Sequence, residues 1–123
     1  MVHKIHKIAI ITDDIEGAVE FYTQKLGLSV VERFANDDDE DHVFLDAGGI
    51  LLELMPRKTM GQDSGFHHIS FDVDSVEDSA GELKDKGVPM TVDPFEVGGG
   101  TGITLGFFEG PNQMKLQLFH REK

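Results

Sequence analysis

The run His67-His68-Ile69-Ser70-Phe71-Asp72-Val73 is followed directly by Asp74-Ser75-Val76-Glu77-Asp78, and together they indicate the fold. The first run has the β-branched and aromatic residues of a strand, and the second is typical of a capped helix start. A strand pattern followed by an acidic cap and a helical pattern also occurs earlier, at residues 5–26. At a shift of 61 places, residues 7–10 align with residues 68–71. The chain therefore repeats itself.

Three extended segments follow each predicted helix. They lie at residues 29–34, 42–47 and 50–55 in the first copy, and near residues 90–92, 103–108 and 113–119 in the second. The sequence thus predicts an α+β fold of two tandem βαβββ modules, at about residues 4–56 and 66–120, within one domain spanning residues 1–123. The acidic segment at residues 36–41 is interpreted as a solvated hairpin between two strands of the first module.

The composition excludes several classes of function. Of the 123 residues, 39% are hydrophobic and 28% are charged, and the formal net charge is -12. So acidic a protein repels nucleic acid and anionic membranes, and neither is the expected partner. The sequence contains no Cys, which excludes disulfides, thiolate nucleophiles and Cys-based metal sites. No apolar run approaches the roughly 20 residues that span a bilayer, and no signal-peptide pattern is found, so we expect a cytoplasmic protein.

Strand alternation selects the candidate site residues. One module cannot bury both faces of its sheet, so we expect a helix on one face and curved mixed sheets around a cavity on the other. Alternation places Lys7 and His68, in the first strands, on the cavity side together with Ser70. It places Glu53 and Gln117, in the last strands, on the same side.

These residues lie within motifs that resemble a known family. The motifs are Lys7-Ile8-Ala9-Ile10 before Ile15, Glu20-Phe21-Tyr22 before Leu26-Gly27-Leu28, Leu52-Glu53-Leu54, residues 65–73, and Gly110-Pro111-Asn112 before Leu116-Gln117-Leu118. Over nearly its whole length the chain is similar to the vicinal oxygen chelate superfamily. That superfamily includes glyoxalase I, methylmalonyl-CoA epimerase, extradiol dioxygenases, and fosfomycin- and bleomycin-resistance proteins.

The resemblance implies a homodimer that binds a small molecule and a divalent metal such as Ni, Zn, Co, Mn or Fe. It places Glu53, His68 and Gln117 in metal-ligand positions, and Lys7 in a position that usually holds His. A protonated ammonium has no lone pair, so Lys7 cannot coordinate a metal at neutral pH. We therefore favour a metal-free state in which the Lys7 ammonium replaces the cation and pairs with Glu53.

Two alternatives stay open from the sequence. A bulge or one-residue slip in the first strand would turn His6 inward and restore a ligand set of His, Glu, His and Gln. The glycine-rich segment at residues 98–102 is either a mobile flap over the cavity or a flexible hairpin. The histidines His3, His42 and His120 show no coordinated pattern.

The residues and the resemblance lead to three hypotheses, the first of which is an enzyme. The hypothesis is a glyoxalase-like lyase or isomerase that moves a proton next to a carbonyl, with Glu53 and Lys7 as catalytic residues. Substrate-binding positions would be Lys7, Ser70 and Gln117. The alternative is a metal-free small-molecule binding protein that resembles the bleomycin-resistance branch, and a third hypothesis is a subunit whose only role is association.

Overall fold

The strands and helices follow one another along the chain as two βαβββ repeats. The computed structural model describes residues 1–35 and 41–122, so residues 36–40 of the predicted acidic hairpin lie outside the described residues. The elements are β1 (Val2–Thr12), α1 (Ile15–Glu20), β2 (Ser29–Ala35), β3 (Asp41–Asp46), β4 (Leu51–Pro56), α2 (Arg57–Met60), β5 (Gly65–Val73), α3 (Val76–Asp85), β6 (Met90–Glu96), β7 (Ile103–Glu109) and β8 (Lys115–Arg121). The predicted α+β class and its two βαβββ modules are confirmed.

One compact unit consists of residues 7–67. Its strands follow the order β2-β3-β4-β1, with β1 parallel to β4 and the other neighbours antiparallel. Helix α1 begins where the Asp14 side chain accepts a hydrogen bond from the Gly17 backbone N–H at 3.0 Å. Gly48 and Gly49, with φ of 85° and 100°, form the tight turn between β3 and β4, a conformation that glycine adopts without strain.

The core of this unit lies between α1 and one face of the sheet. The fully buried side chains Val43, Leu45 and Leu54 lie at its centre. Partly buried side chains pack on them from β1, α1, the segment after α1, and β4, namely Ile10, Ile15, Ala18, Val19, Tyr22, Leu28 and Leu52. Because side chains alternate along a strand, the opposite face of the same sheet carries Lys7 and Glu53.

A second compact unit consists of residues 1–6 and 68–123. Its strands follow the order β5-β8-β7-β6, and β5 is again parallel to the last strand of its repeat, β8. Ser75 caps α3 by accepting a hydrogen bond from the Asp78 backbone N–H at 3.1 Å. The buried core consists of Val73, Val76, Ala80 and Leu118.

Several elements differ in detail from the sequence-based expectation. The polar connection after β4 contains the short helix α2, and helix α1 continues as a π-helical turn at Phe21–Lys25. Strand β6 extends to Glu96 rather than ending near residue 92. Within the part of the chain that the structure describes, no helix has both the length and the apolar character required to cross a bilayer.

The glycine-rich segment at residues 98–102 is tied to neighbouring backbone. The Thr101 hydroxyl donates to the Val97 carbonyl at 3.0 Å, and Arg121 Nε donates to the Thr101 carbonyl at 3.3 Å. The Glu122 backbone N–H donates to the Gly102 carbonyl at 2.8 Å. These bonds join the hairpin between β6 and β7 to the end of β8 in the same unit.

Candidate functional site

A buried cation and a buried carboxylate share one face of the sheet in the unit formed by residues 7–67. As whole residues, Lys7 is 2% exposed and Glu53 is 8% exposed. Lys7 pairs with Leu51 and Ala9 pairs with Glu53 across the parallel β1–β4 ladder. Lys7 and Glu53 therefore point to the same side and are separated by one diagonal step of the ladder. A lysine side chain is long enough to cover that step, so the arrangement allows the predicted ion pair.

Two aromatic rings lie on the same face as this pair. Phe44 is the cross-strand partner of Glu53, and its ring centroid lies 6.0 Å from the Nζ atom of Lys7. Phe34, on β2, packs edge-on against Phe44 with 5.1 Å between the ring centroids. An aromatic face attracts a cation and excludes water, so the rings favour a fixed ammonium at this position.

A histidine that the sequence left without a role contacts the carboxylate. His42 Nδ1 lies 3.4 Å from Glu53 Oε2. The His42 side chain is 22% exposed, whereas that of Glu53 is 10% exposed. His42 lies two residues before Phe44 in β3, and this spacing places it on the same face as Glu53. The face therefore combines a carboxylate, an ammonium and an imidazole.

The other repeat presents a related arrangement on its own sheet. His68 and Gln117 are 2% and 3% exposed, and Ser70 is fully buried. Ser70 is the cross-strand partner of Gln117, so the two side chains lie side by side on one face. The ring of His68 packs edge-on against Phe107 at 5.3 Å. Lys7 with Phe44 and His68 with Phe107 are thus repeat-related pairs.

The five predicted site residues divide between the two units. Lys7 and Glu53 belong to one, whereas His68, Ser70 and Gln117 belong to the other. Each residue lies on the face that alternation assigned to it. The hypothesis that both groups contribute to one site stays a prediction.

The alternative slip of the first strand is not seen in the paired segment of β1. From Lys7 to Thr12 the strand pairs with β4 one residue after another, and buried and partly buried side chains alternate without interruption. His6 instead stacks on Phe119, with 4.2 Å between the ring centroids and 15° between the ring planes. Lys7, and not His6, therefore shares a face with Ala9 and Ile11.

The chemistry of the donors does not suit the divalent metal that the resemblance implies. Lys7 brings a positive charge and no lone pair, and Gln117 brings a neutral amide oxygen where a carboxylate would help to balance the charge of the ion. Among residues 1–35 and 41–122, no three His, Asp or Glu side chains form a group that could hold a metal ion. A ligand set of Glu53, His68 and Gln117 stays a prediction.

Two arginines of the unit at residues 7–67 are held by carboxylates outside this site. Hydrogen bonds to Glu16 and then Asp41 raise the pKa of Arg33 above its usual value. Arg33 Nε lies 2.6 Å from Asp41 Oδ2, so this side chain links β2 to β3. A hydrogen bond to Asp13 raises the pKa of Arg57 in the same way. The ion pairs of Arg33 and Arg57 are solvent-accessible and are expected to add little stability.

The fold and the paired polar faces indicate a family, and the comparison with known proteins identifies it. Residues 4–118 match the model of the Glyoxalase/Bleomycin resistance protein/Dioxygenase superfamily. The chain belongs to this family, the vicinal oxygen chelate superfamily.

Similar proteins cover nearly the whole chain. The uncharacterized protein YwkD of Bacillus subtilis is 31% identical over an alignment of length 133. This alignment covers 98% of this chain and 99% of YwkD. A probable lactoylglutathione lyase of Vibrio cholerae is 25% identical, over 98% of this chain and 93% of that protein. A methylmalonyl-CoA epimerase of Streptomyces coelicolor, solved in complex with 2-nitronate-propionyl-CoA, superposes with a TM-score of 0.78 at 24% identity, over 98% of this chain and 96% of that chain. The epimerase likeness shows the fold.

The sequence alone did not identify His42 as a site residue. Leu105 stands at the equivalent position of the second repeat, two residues before Phe107, so comparison of the repeats draws no attention to it. The available signal was alternation within β3, which places His42 on the face of Phe44. Only the register between β3 and β4 brings that face next to Glu53.

Proposed function

We propose that the chain is a glyoxalase-like lyase or isomerase that moves a proton on a carbon atom next to a carbonyl group. Glu53 is the base that removes this proton, and the Lys7 ammonium stabilises the negative charge that then develops on the carbonyl oxygen. The proton afterwards returns from Glu53 to the same carbon or to its neighbour, which completes an epimerisation or an isomerisation. No metal takes part in this scheme.

The observation that carries the proposal is the burial of a carboxylate and an ammonium on one sheet face. A charged residue that is only 2% or 8% exposed is costly in free energy unless it has a partner or a function. A base and an electrophile on one face of a water-poor site suit enolate formation, because the cation is in place before the charge develops. The similar proteins include a probable lactoylglutathione lyase and methylmalonyl-CoA epimerases, which supports this class of reaction.

Exchange of carbon-bound hydrogen in D2O tests this function directly. The probes are methylmalonyl-CoA and the hemithioacetal formed from methylglyoxal and glutathione, and proton NMR follows loss of the signal next to the carbonyl. Protein treated with EDTA should catalyse exchange of at least one probe, and Glu53→Gln should slow that exchange by about a hundredfold or more. Glu109→Gln, which neutralises an exposed carboxylate on β7, is the matched control and should behave as the native protein.

Metal analysis of the same sample provides an independent check. The purified protein should contain no stoichiometric Ni, Zn, Co, Mn or Fe. Exchange that requires one equivalent of metal would contradict the role given to Lys7. Unchanged exchange in Glu53→Gln would contradict the role given to the base.

The second candidate function is metal-free binding of an organic molecule, as in the bleomycin-resistance branch of the family. Phe34 and Phe44, packed edge-on at 5.1 Å beside Lys7, favour this candidate because aromatic rings bind planar ligands by stacking. A rise in melting temperature with cationic drugs but no exchange of either probe would support it. Homodimeric assembly and a cytoplasmic location are further parts of the proposal, and light scattering tests the first.

A further inference from the structure

We propose that His42 is a positioning residue for Glu53, a role that rests on the proposed function of Glu53 as the base. The imidazole holds one carboxylate oxygen and so sets the direction in which the carboxylate faces the substrate. His42 does not touch the reacting atoms in this proposal.

The contact between the two side chains is the first argument. His42 Nδ1 lies 3.4 Å from Glu53 Oε2. An ionised carboxylate has only acceptor atoms, so the ring must donate from Nδ1 and carries its hydrogen there when neutral. Such a bond to one oxygen restricts rotation about the last side-chain torsion of Glu53. Without it, this torsion has a broad distribution of angles.

The register of the sheet is the second argument. Phe44 lies opposite Glu53 on β3, and His42 lies two residues earlier on the same face. Both strands are held in an antiparallel ladder, so the backbone positions of base and imidazole are fixed relative to each other. Sites on strands hold their side chains more accurately than sites on loops do.

The gradient of exposure is the third argument. The Glu53 side chain is 10% exposed, and that of His42 is 22% exposed. The imidazole is therefore the more solvent-accessible of the two contacting groups.

A contact measurement tests the inference without any turnover. Nitrogen-15 NMR of the histidine rings should show Nδ1 of His42 protonated in the native protein near neutral pH. In Glu53→Leu the acceptor is removed, and the His42 ring should shift toward the tautomer mixture of free imidazole, whereas the His120 ring, which contacts the Val73 carbonyl in the other unit, should not change. An unchanged His42 ring would overturn the proposal.

The exchange assay in D2O tests the consequence. His42→Ala should lower kcat for probe exchange by about tenfold and leave KM unchanged, since the substrate does not contact His42. His42→Asn places an amide donor near the former Nδ1 position and should restore most of kcat. Glu109→Gln, which neutralises the exposed carboxylate on β7, should keep the native rate. Melting curves show whether each variant is folded. If His42→Ala is not folded, His42→Asn serves as the test.

The outcomes separate this inference from the function on which it rests. If Glu53→Gln abolishes exchange but His42→Ala keeps the native kcat, the positioning role is wrong and the base remains. If Asn fails to restore the loss caused by Ala, a donor at this position is not what matters, and the inference is also wrong. If Glu53→Gln exchanges at the native rate, the proposed function fails first.

Discussion

Replacing both buried charges should be less harmful than replacing either one. Lys7→Met keeps the approximate length of the side chain and removes its charge. Glu53→Leu removes the negative charge and places an apolar side chain between Leu52 and Leu54. Each single change leaves the opposite charge buried without its predicted partner. We expect each to lower the free energy of unfolding, and the double variant to recover most of the loss.

The size of the effect follows from burial. Lys7 is 2% exposed and Glu53 is 8% exposed, so the remaining charge has little access to water. Two unit charges about 4 Å apart at an effective dielectric near 20 attract by about 4 kcal/mol, and breaking one buried pair costs about 3 to 5 kcal/mol. For a chain of 123 residues this lowers the melting temperature by about 10 °C or more. An apolar pair of similar volume is often neutral in stability, which explains the expected recovery.

Urea denaturation followed by circular dichroism measures all four proteins of this cycle. Lys4→Met is the matched control, because Lys4 lies on the same strand with an exposed side chain, and it should change stability by less than about 0.5 kcal/mol. Losses that simply add in the double variant would refute the reasoning. Such additivity would mean that Lys7 and Glu53 do not interact, and the electrophile assigned to Lys7 would have to be withdrawn.

Three further changes have distinct expected results. Lys7→His replaces the ammonium by an imidazole and should raise affinity for Ni, Co or Zn, measured by calorimetry, by orders of magnitude; an unchanged affinity would show that charge at this position does not control metal binding. Leu54→Ala opens a cavity in a fully buried core position and should cost about 2 to 5 kcal/mol in urea denaturation, so a loss below about 1 kcal/mol would contradict the core assignment. Ser75→Ala removes the cap of α3 and should cost about 1 kcal/mol, whereas Ser75→Asp should keep native stability.

The repeat and its alternation made most of the fold predictable. Two strand-and-helix starts separated by 61 residues define the modules, because each module has the same hydrophobic pattern and the same turn residues. The short helix α2 was missed, since its four residues from Arg57 to Met60 complete barely one turn and show no period. The extension of β6 beyond residue 92 was missed because the strand contains Pro94, which favours an earlier end.

The candidate site was only partly predictable. Alternation placed Lys7 and Glu53 on the face opposite the helix, and the structure agrees for both. It carries no information on which residue of β3 lies next to Glu53, because that depends on register and not on period. His42 was therefore missed. A slip of one residue in β3 would have turned its side chain to the other face of the sheet.

Local sequence patterns were enough to predict the repeat, the face of each strand that meets a helix, and an ammonium at a position where the resemblance implies an imidazole. These follow from periodicity and side-chain chemistry, which are local properties of the chain. The tertiary structure alone decided the neighbours on that face: Phe44 opposite Glu53, the ring 6.0 Å from Lys7 Nζ, and His42 at 3.4 Å from the carboxylate. Neighbours across strands are set by hydrogen-bond register between distant segments, and no local pattern encodes that register.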